Sequence, residues 1–268
     1  MAFERELKVA LAAAREAGDI VRRHYEEGTR TWEKGEDDPV TLADLEADAA
    51  IRARLSAPFP DDAILSEEAA SNGSRLAKSR VWIVDPMDGT KEFTRRIPEF
   101  AVSIALAEDG EPVVGAICNP IAGVSVWATR GGGSFRDGEP VRVSTCARLE
   151  DAVVIVSRSE IARNDFAPYE RWFGELRPMG SIAWKLACIA SGEGHLNLSV
   201  APKNEWDVCA GDVIVREAGG VYASFEGATR QYNRAETLIS SGMGAGARAL
   251  LDQFIAREQE RRRKRGRC

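Results

Sequence analysis

At 268 residues and 29.2 kDa, the chain has room for two domains or two fused halves. Its 44% hydrophobic and 29% charged residues exclude a disordered, collagenous or coiled-coil protein. The net charge is −6, and taking away the six positive charges among the last eight residues leaves the remaining body at −12, a poor general binder of nucleic-acid backbone.

The predicted elements run in chain order. Leu7, Ala10, Ala14, Ala17, Val21 and Tyr25 form one apolar stripe, which predicts a helix over residues 3–26 stopped at Gly28. Glu33 to Pro39 is polar and reads as a mobile link. Thr41-Leu-Ala-Asp44 resembles a capping box that opens a second helix. Ala63–Ser66 is a short strand, and Ala69 to Ser79 reads as loop. Arg80–Val84 is an apolar strand, followed by strands at Ala101–Ala107, Val113–Asn119, Val124–Thr129 and Gly133–Arg136. Asp109-Gly110 and Asp137-Gly138 are hairpin turns. The uncharged run from Pro112 to Thr129 is broken by Gly, Asn and Pro and does not read as a membrane span.

Beyond residue 145 the rhythm changes to alternating strand and helix. Ala152–Val156, His195–Ser199, Val221–Ser224 and Thr237–Ser240 read as strands. Asp165–Phe173, Ser181–Ser191, Trp206–Ala218 and Ala245 to about Arg262 read as helices. The expected division is an N-terminal half over 1–145 and a C-terminal half, with the basic tail, over 146–268. Cys118, Cys146, Cys188, Cys209 and Cys268 are odd in number and widely spaced, with no paired motif. With no apolar signal core at the N-terminus, they point to a cytoplasmic protein with free thiols.

Asp85-Pro-Met-Asp-Gly-Thr90 carries the strongest chemical signal. Two carboxylates three residues apart converge if the turn is tight, and they repel unless cations sit between them. Gly89 allows close backbone approach, and a helix opening at Lys91 turns the Gly89 and Thr90 amides toward an anion. Read alone, the stretch fits either a decorated turn or a ligand site. Glu67 in Ser66-Glu67-Glu68, Asp207 after Trp206, and Asp44 have plain readings of their own: a surface charge, a helix N-cap and a capping-box member.

Taken together, Asp38-Pro-Val-Thr-x-Ala-Asp44, Ser66-Glu67-Glu68, Trp82-Ile-Val-Asp85-Pro-Met-Asp-Gly-Thr90, Gly180-Ser181 and Trp206-Asp207-x-x-Ala-Gly211 resemble the lithium-sensitive, magnesium-dependent phosphatases. That superfamily comprises the inositol monophosphatases and the 3'(2'),5'-bisphosphate nucleotidases. The resemblance implies an α+β fold of layered α-β-α-β-α type, with a largely antiparallel N-terminal sheet and an α/β C-terminal half. It implies two or three Mg2+ ions held by Glu67, Asp85, the Met87 carbonyl, Asp88 and Asp207. Asp44 and Thr90, with Glu67, would activate a water made acidic by metal. Gly89, Thr90, Lys91, Gly180, Ser181, Lys185 and Asp207 would touch substrate, and Glu68 would support the site.

Two features lean toward the nucleotidase branch. Lys91-Glu92 follows Thr90, and Pro202-x-Asn204-x-Trp206-Asp207 resembles the nucleotidase form. Val200 stands where inositol monophosphatases typically carry an acid. The expected activity is therefore hydrolysis of 3'-phosphoadenosine 5'-phosphate to AMP and phosphate. An inositol or sugar monophosphatase is the alternative, and a non-catalytic binding member a further one. The expected partner is a small phosphorylated substrate, with no specific nucleic-acid polymer, no membrane, and a homodimer allowed.

Overall fold

The computed structural model describes residues 2–35, 38–69 and 73–265. Helix α1 (Glu4–Glu27) buries Ala10, Ala13, Ala14, Ala17 and Val21 and ends at Gly28, whose φ is positive (92°). The segment expected to be mobile is a β-hairpin instead: β1 (Thr31–Gly35) pairs antiparallel with β2 (Asp38–Thr41). Trp32 and Val40 face one another across it, and such cross-strand pairs hold short ribbons that polarity alone does not announce. The expected capping box is present at α2 (Leu42–Ser56). The Thr41 side chain accepts from Ala43 N, and the Asp44 carboxylate accepts from Thr41 N.

The next seven strands make one sheet: β3 (Ala63–Ser66), β4 (Arg80–Asp88), β5 (Ala101–Glu108), β6 (Glu111–Asn119), β7 (Val124–Thr129), β8 (Gly133–Arg136) and β9 (Glu139–Val141), in that spatial order. Only the β3–β4 pair is parallel. The expected loop after β3 contains a 3-10 turn at Ser74–Ala77, and its residues 70–72 lie outside the described residues. Asp109 and Asp137 take positive φ (52° and 50°) beside Gly110 and Gly138, as the hairpin turns require. A short helix, α3 (Thr90–Thr94), follows β4.

The second sheet is mixed. β10 (Val153–Ser157) lies parallel to both β11 (Glu175–Met179) and β12 (Leu196–Ser199), and β16 (Met243–Gly246) joins β12 to β14 (Val221–Ser224) antiparallel. Between them in sequence come α4 (Arg158–Ala162), α5 (Ile182–Ala190), the two-residue β13 (Lys203–Asn204), α6 (Glu205–Glu217) and the two-residue β15 (Leu238–Ile239). α7 (Arg248–Arg265) closes the chain.

Three expectations change here. The helix read over Asp165–Phe173 is a 3-10 turn at Ala167–Trp172, with Pro168 at its start. The strand read over Thr237–Ser240 shrinks to β15. The last helix begins at Arg248, because Met243–Gly246 is an interior strand. Its small residues carry little strand propensity, but a Cβ on Gly244 would meet Leu198 and Leu251. The site selects smallness, and a propensity argument reads that as helix.

The layers follow from what each face buries. α1 and α2 cover one face of the seven-stranded sheet through Ala14, Ala47, Ile51, Trp82, Ile104 and Leu106. α5 and α6 fill the space between the two sheets, packing Leu186, Cys209 and Ile214 against Ile83, Ala105, Ile117 and Ile155. α7 covers the outer face of the second sheet through Leu250, Leu251 and Phe254. Each large apolar side chain buried this way contributes about 1.5–3 kcal/mol. The result is the layered α-β-α-β-α arrangement. Cys118, Cys188 and Cys209 are buried and Cys146 half-buried, all free.

Candidate active site

The β4–α3 segment builds its own geometry from local hydrogen bonds. Asp85 ends the regular part of β4, and Pro86 starts the turn. The Asp85 carboxylate then accepts from Met87 N at 2.9 Å, an Asx turn that folds the chain back. Gly89 has φ 101°, and a Cβ there would press on Glu99 O (3.0 Å) and Phe100, so glycine is required. The Thr90 hydroxyl lies 3.0 Å from Asp44 Oδ1 and 3.1 Å from Met87 O, and its single proton serves one of them at a time.

Asp44 is only 1% exposed. Its other oxygen accepts from Thr41 N (2.8 Å) and the Thr41 hydroxyl (2.6 Å). Burial nevertheless wins over these bonds and raises its pKa to about 6, into the working range of a base near neutrality. One carboxylate thus caps the start of α2 and also faces Thr90, a geometry compatible with both readings of Asp44.

Around this segment lies a cleft of about 480 Å³. Glu67, Asp85, Met87, Asp88, Gly89, Thr90, Lys91, Gly180, Ser181, Lys185 and Asp207 all line it, and Asp44 stands behind Thr90. Glu67 is fixed beside β4 by its N–H to Val84 O (3.2 Å). Asp207 sits in the first turn of α6 and accepts from Asn204 N at 2.7 Å, so Asn204 rather than Asp207 is the N-cap. Asp88 accepts from the Ser181 hydroxyl (2.5 Å) and Ala183 N (2.6 Å), which joins the first-sheet segment to the start of α5.

Burial raises Asp85 well above the usual carboxylate range, with Glu67, Asp88, Asp207 and Asp44 adding to the shift. Burial likewise raises Asp207, with Asp88 adding to it, and raises Asp88 despite its hydrogen bonds from Ser181 and Ala183. Three mutually repelling carboxylates, Asp85 buried and Asp88 and Asp207 half-buried, are an arrangement that a cation relieves. Among the described residues no three acidic, cysteine or histidine side chains form a ready cage for an ion. Instead Asp85, Asp88 and Asp207 are each steered by one oxygen onto protein donors, and their second oxygens carry no hydrogen bond to the described residues. This all-oxygen donor set suits a hard cation of the Mg2+ or Ca2+ kind.

Lys185 is 2% exposed, with Nζ donating to Met179 O at 3.3 Å. Burial lowers its pKa to about 8, against the pull of Asp88. It is a buried cation in the wall of the cleft. Trp206 packs against the central core and also lines the cleft. His24 is paired with Glu46, and His195 accepts from Val153 N; neither lines the cleft. Val200 packs on the outer core and does not line the cleft either.

Sequence reasoning missed Arg95, Arg158, Ser157, Ser159 and Lys203, which also line the cleft. It missed Glu99 too. Its carboxylate takes a bidentate fork from Arg158 (2.8 and 2.6 Å) and accepts from Gly180 N (2.7 Å). Glu160, with no exposed surface, accepts from the Ser199 hydroxyl, Val200 N and Ala201 N, fixing the loop that leads to Lys203. Only the spacing of Ser157-Arg158-Ser159 just after a strand could have drawn attention to any of these.

The sequence matches the inositol monophosphatase family over residues 3–263. Nus factor SuhB of Salmonella typhimurium is 33% identical over 234 residues, covering 82% of this chain and 85% of the relative. A fructose-1,6-bisphosphatase/inositol-1-monophosphatase of Aquifex aeolicus is 32% identical over 231 residues, covering 82% and 86%. The crystal structure of the extragenic suppressor protein SuhB of Bartonella henselae aligns with TM-score 0.83 at 30% identity, over 94% of this chain and 98% of that one. With the match running almost from end to end over a cleft of this make-up, the chain belongs to the inositol monophosphatase family and is a phosphatase.

Proposed function

We propose that the cleft is a magnesium-dependent phosphomonoesterase site for a bisphosphorylated small molecule, 3'-phosphoadenosine 5'-phosphate, which it converts to AMP and phosphate. The observation that carries this reading is the mixed lining of one cleft. Glu67, Asp85, Asp88 and Asp207 share it with Lys91, Arg95, Arg158 and Lys203. Carboxylates suit cations at the reacting phosphate, and the cationic side chains suit a second, non-reacting phosphate.

Glu67, Asp85, the Met87 carbonyl, Asp88 and Asp207 would hold Mg2+, which when bound supplies Lewis acidity and charge neutralisation at the phosphoryl group. The chain's own residues do the rest. Asp44, ionised above pH 6, takes a proton through the Thr90 hydroxyl that faces it. Ser181 and Ala183 N hold Asp88 in one orientation, so that its second oxygen is presented the same way in every turnover. Burial of Asp44 keeps bulk water from competing for that proton. On this reading Li+, close to Mg2+ in size with half its charge, inhibits by occupying a site it does not serve.

Inositol 1-phosphate is the second reading, favoured by the name of the Aquifex relative. It asks for hydroxyl acceptors near the sugar ring; Val200 packs on the outer core away from the cleft, so its lack of an acid does not decide between the two readings. The word "Nus factor" in the Salmonella relative's name raises a binding role. The intact carboxylate set favours catalysis, since unused clustered carboxylates only destabilise. Product analysis by phosphorus NMR tests the proposal: 3'-phosphoadenosine 5'-phosphate with Mg2+ should give 5'-AMP and phosphate, and chelation should stop it. Release of the 5'-phosphate, or turnover insensitive to chelation, would refute it.

A further inference from the structure

Ser157-Arg158-Ser159 lies at the C-terminal end of β10, a strand parallel to both its neighbours. Crevices outside the carboxyl ends of parallel strands are where such sheets bind ligands. All three residues line the cleft, and none of them is a site residue of the acidic segment. The two serine hydroxyls stand 2.9 Å apart. The Arg158 side chain is 40% exposed, and it uses Nε and Nη2 on Glu99. Nη1 makes no hydrogen bond to the described residues, so part of the guanidinium's donor capacity is unspent.

Glu99 fixes that guanidinium firmly. Burial would raise the Glu99 pKa, but the Arg158 fork and Gly180 N outweigh it and hold it below the ordinary value, so the pair stays ionised. Gly180 in turn allows no Cβ, which would collide with Glu92 and Glu99 O. One carboxylate thus ties a cleft cation to the loop that leads into Ser181 and Asp88.

We infer that Ser157, Arg158 and Ser159 form a second anion subsite that takes the non-reacting phosphate of the substrate, with Glu99 as its positioning residue. A phosphate offers three acceptor oxygens, which match the free edge of Arg158 and the hydroxyl pair, one proton of which is exchanged from the partner serine to the phosphate on binding. A lysine offers a point charge without the fork, so Arg158→Lys is not conservative here. The inference rests on the bisphosphate reading above.

The test compares kcat/KM for 3'-phosphoadenosine 5'-phosphate with that for adenosine 3'-monophosphate, in wild type, Arg158→Gln, Glu99→Gln and the double variant. In wild type the ratio favours the bisphosphate. Arg158→Gln lowers that ratio by about ten- to a hundredfold, carried mainly by KM for the bisphosphate. Glu99→Gln lowers it in the same direction, and the double variant adds little, because Glu99 acts through Arg158. If Arg158→Gln does not accumulate as folded protein, Arg158→Lys is measured the same way, and a fall in the ratio supports the subsite. A ratio that survives in folded Arg158 variants, or an equal loss on both substrates, overturns the inference and leaves the bisphosphate reading standing. A wild-type enzyme with no preference for the bisphosphate overturns both.

Discussion

Two regions line the same cleft and are built in opposite ways. The Asp85–Thr94 segment is held by contacts within a few residues: Asp85 to Met87 N, Thr90 to Met87 O, and the turn of α3. The α4–α5 side is held across long stretches of chain: Arg158 to Glu99 is 59 residues, Glu160 to Val200 is 40, and Ser181 to Asp88 is 93. The turn of the first region carries its backbone geometry with it, whereas its bonds to Asp44, 46 residues away, and to Ser181, 93 away, and the whole of the second region need the distant segments brought together. On the proposed function, the chemical step belongs to the turn and the carboxylates gathered around it, and substrate choice to the α4–α5 side.

The largest effect should come from breaking the local region at its centre. Asp85→Asn removes charge from the most buried of the clustered carboxylates and should cut kcat at least about a thousandfold while weakening the Mg2+ dependence. Steady-state kinetics across a Mg2+ titration checks this, and activity within a few-fold of wild type would disprove the assignment. Next, Thr90→Ala and Asp44→Asn should each lower kcat by about 10²–10⁴. The double variant should lose little more, because the two share one hydrogen bond. Fully multiplicative losses would show two independent residues.

The long-range region should fail differently. Glu160→Ala leaves the Ser199 hydroxyl, Val200 N and Ala201 N without their acceptor, at a cost of about 3 kcal/mol in stability. Thermal unfolding should show that loss, and the kinetic signature should be a raised KM more than a lowered kcat. A lowered kcat at unchanged KM would blur the division between the two regions. The smallest effect is a binding one. Mg2+ at a hundredfold excess over its Kd should stabilise the wild-type protein by about 2.7 kcal/mol, read as a raised Tm. Asp85→Asn should respond less, and an equal shift in both would place the ion elsewhere.

The same contrast explains what the sequence could reveal. Asp85, Asp88, Thr90 and the Thr41–Asp44 box are legible because local spacing fixes their geometry: a proline turn, an Asx bond, a cap. The strands from Ala63 to Arg136 were legible for a related reason, with apolar runs punctuated by Asp-Gly turns. Arg158, Glu99 and Glu160 carry no such local signal, because nothing near them in sequence names their partners. Lys185 was read as a substrate-side cation, and no spacing rule announces that Met179 O and the core enclose it. β16 escaped notice because its small residues serve packing rather than propensity, and the β1–β2 hairpin because two apolar residues among charges suffice to hold it.

The measurement that bears most directly on the whole account is the ratio of kcat/KM for 3'-phosphoadenosine 5'-phosphate to that for inositol 1-phosphate, taken on the wild-type protein in Mg2+. A fixed cation on the second phosphate predicts a ratio above one by about ten- to a hundredfold. A ratio inverted by the same factor would contradict the assignment of the cleft's cations to a second phosphate and return the protein to the inositol reading.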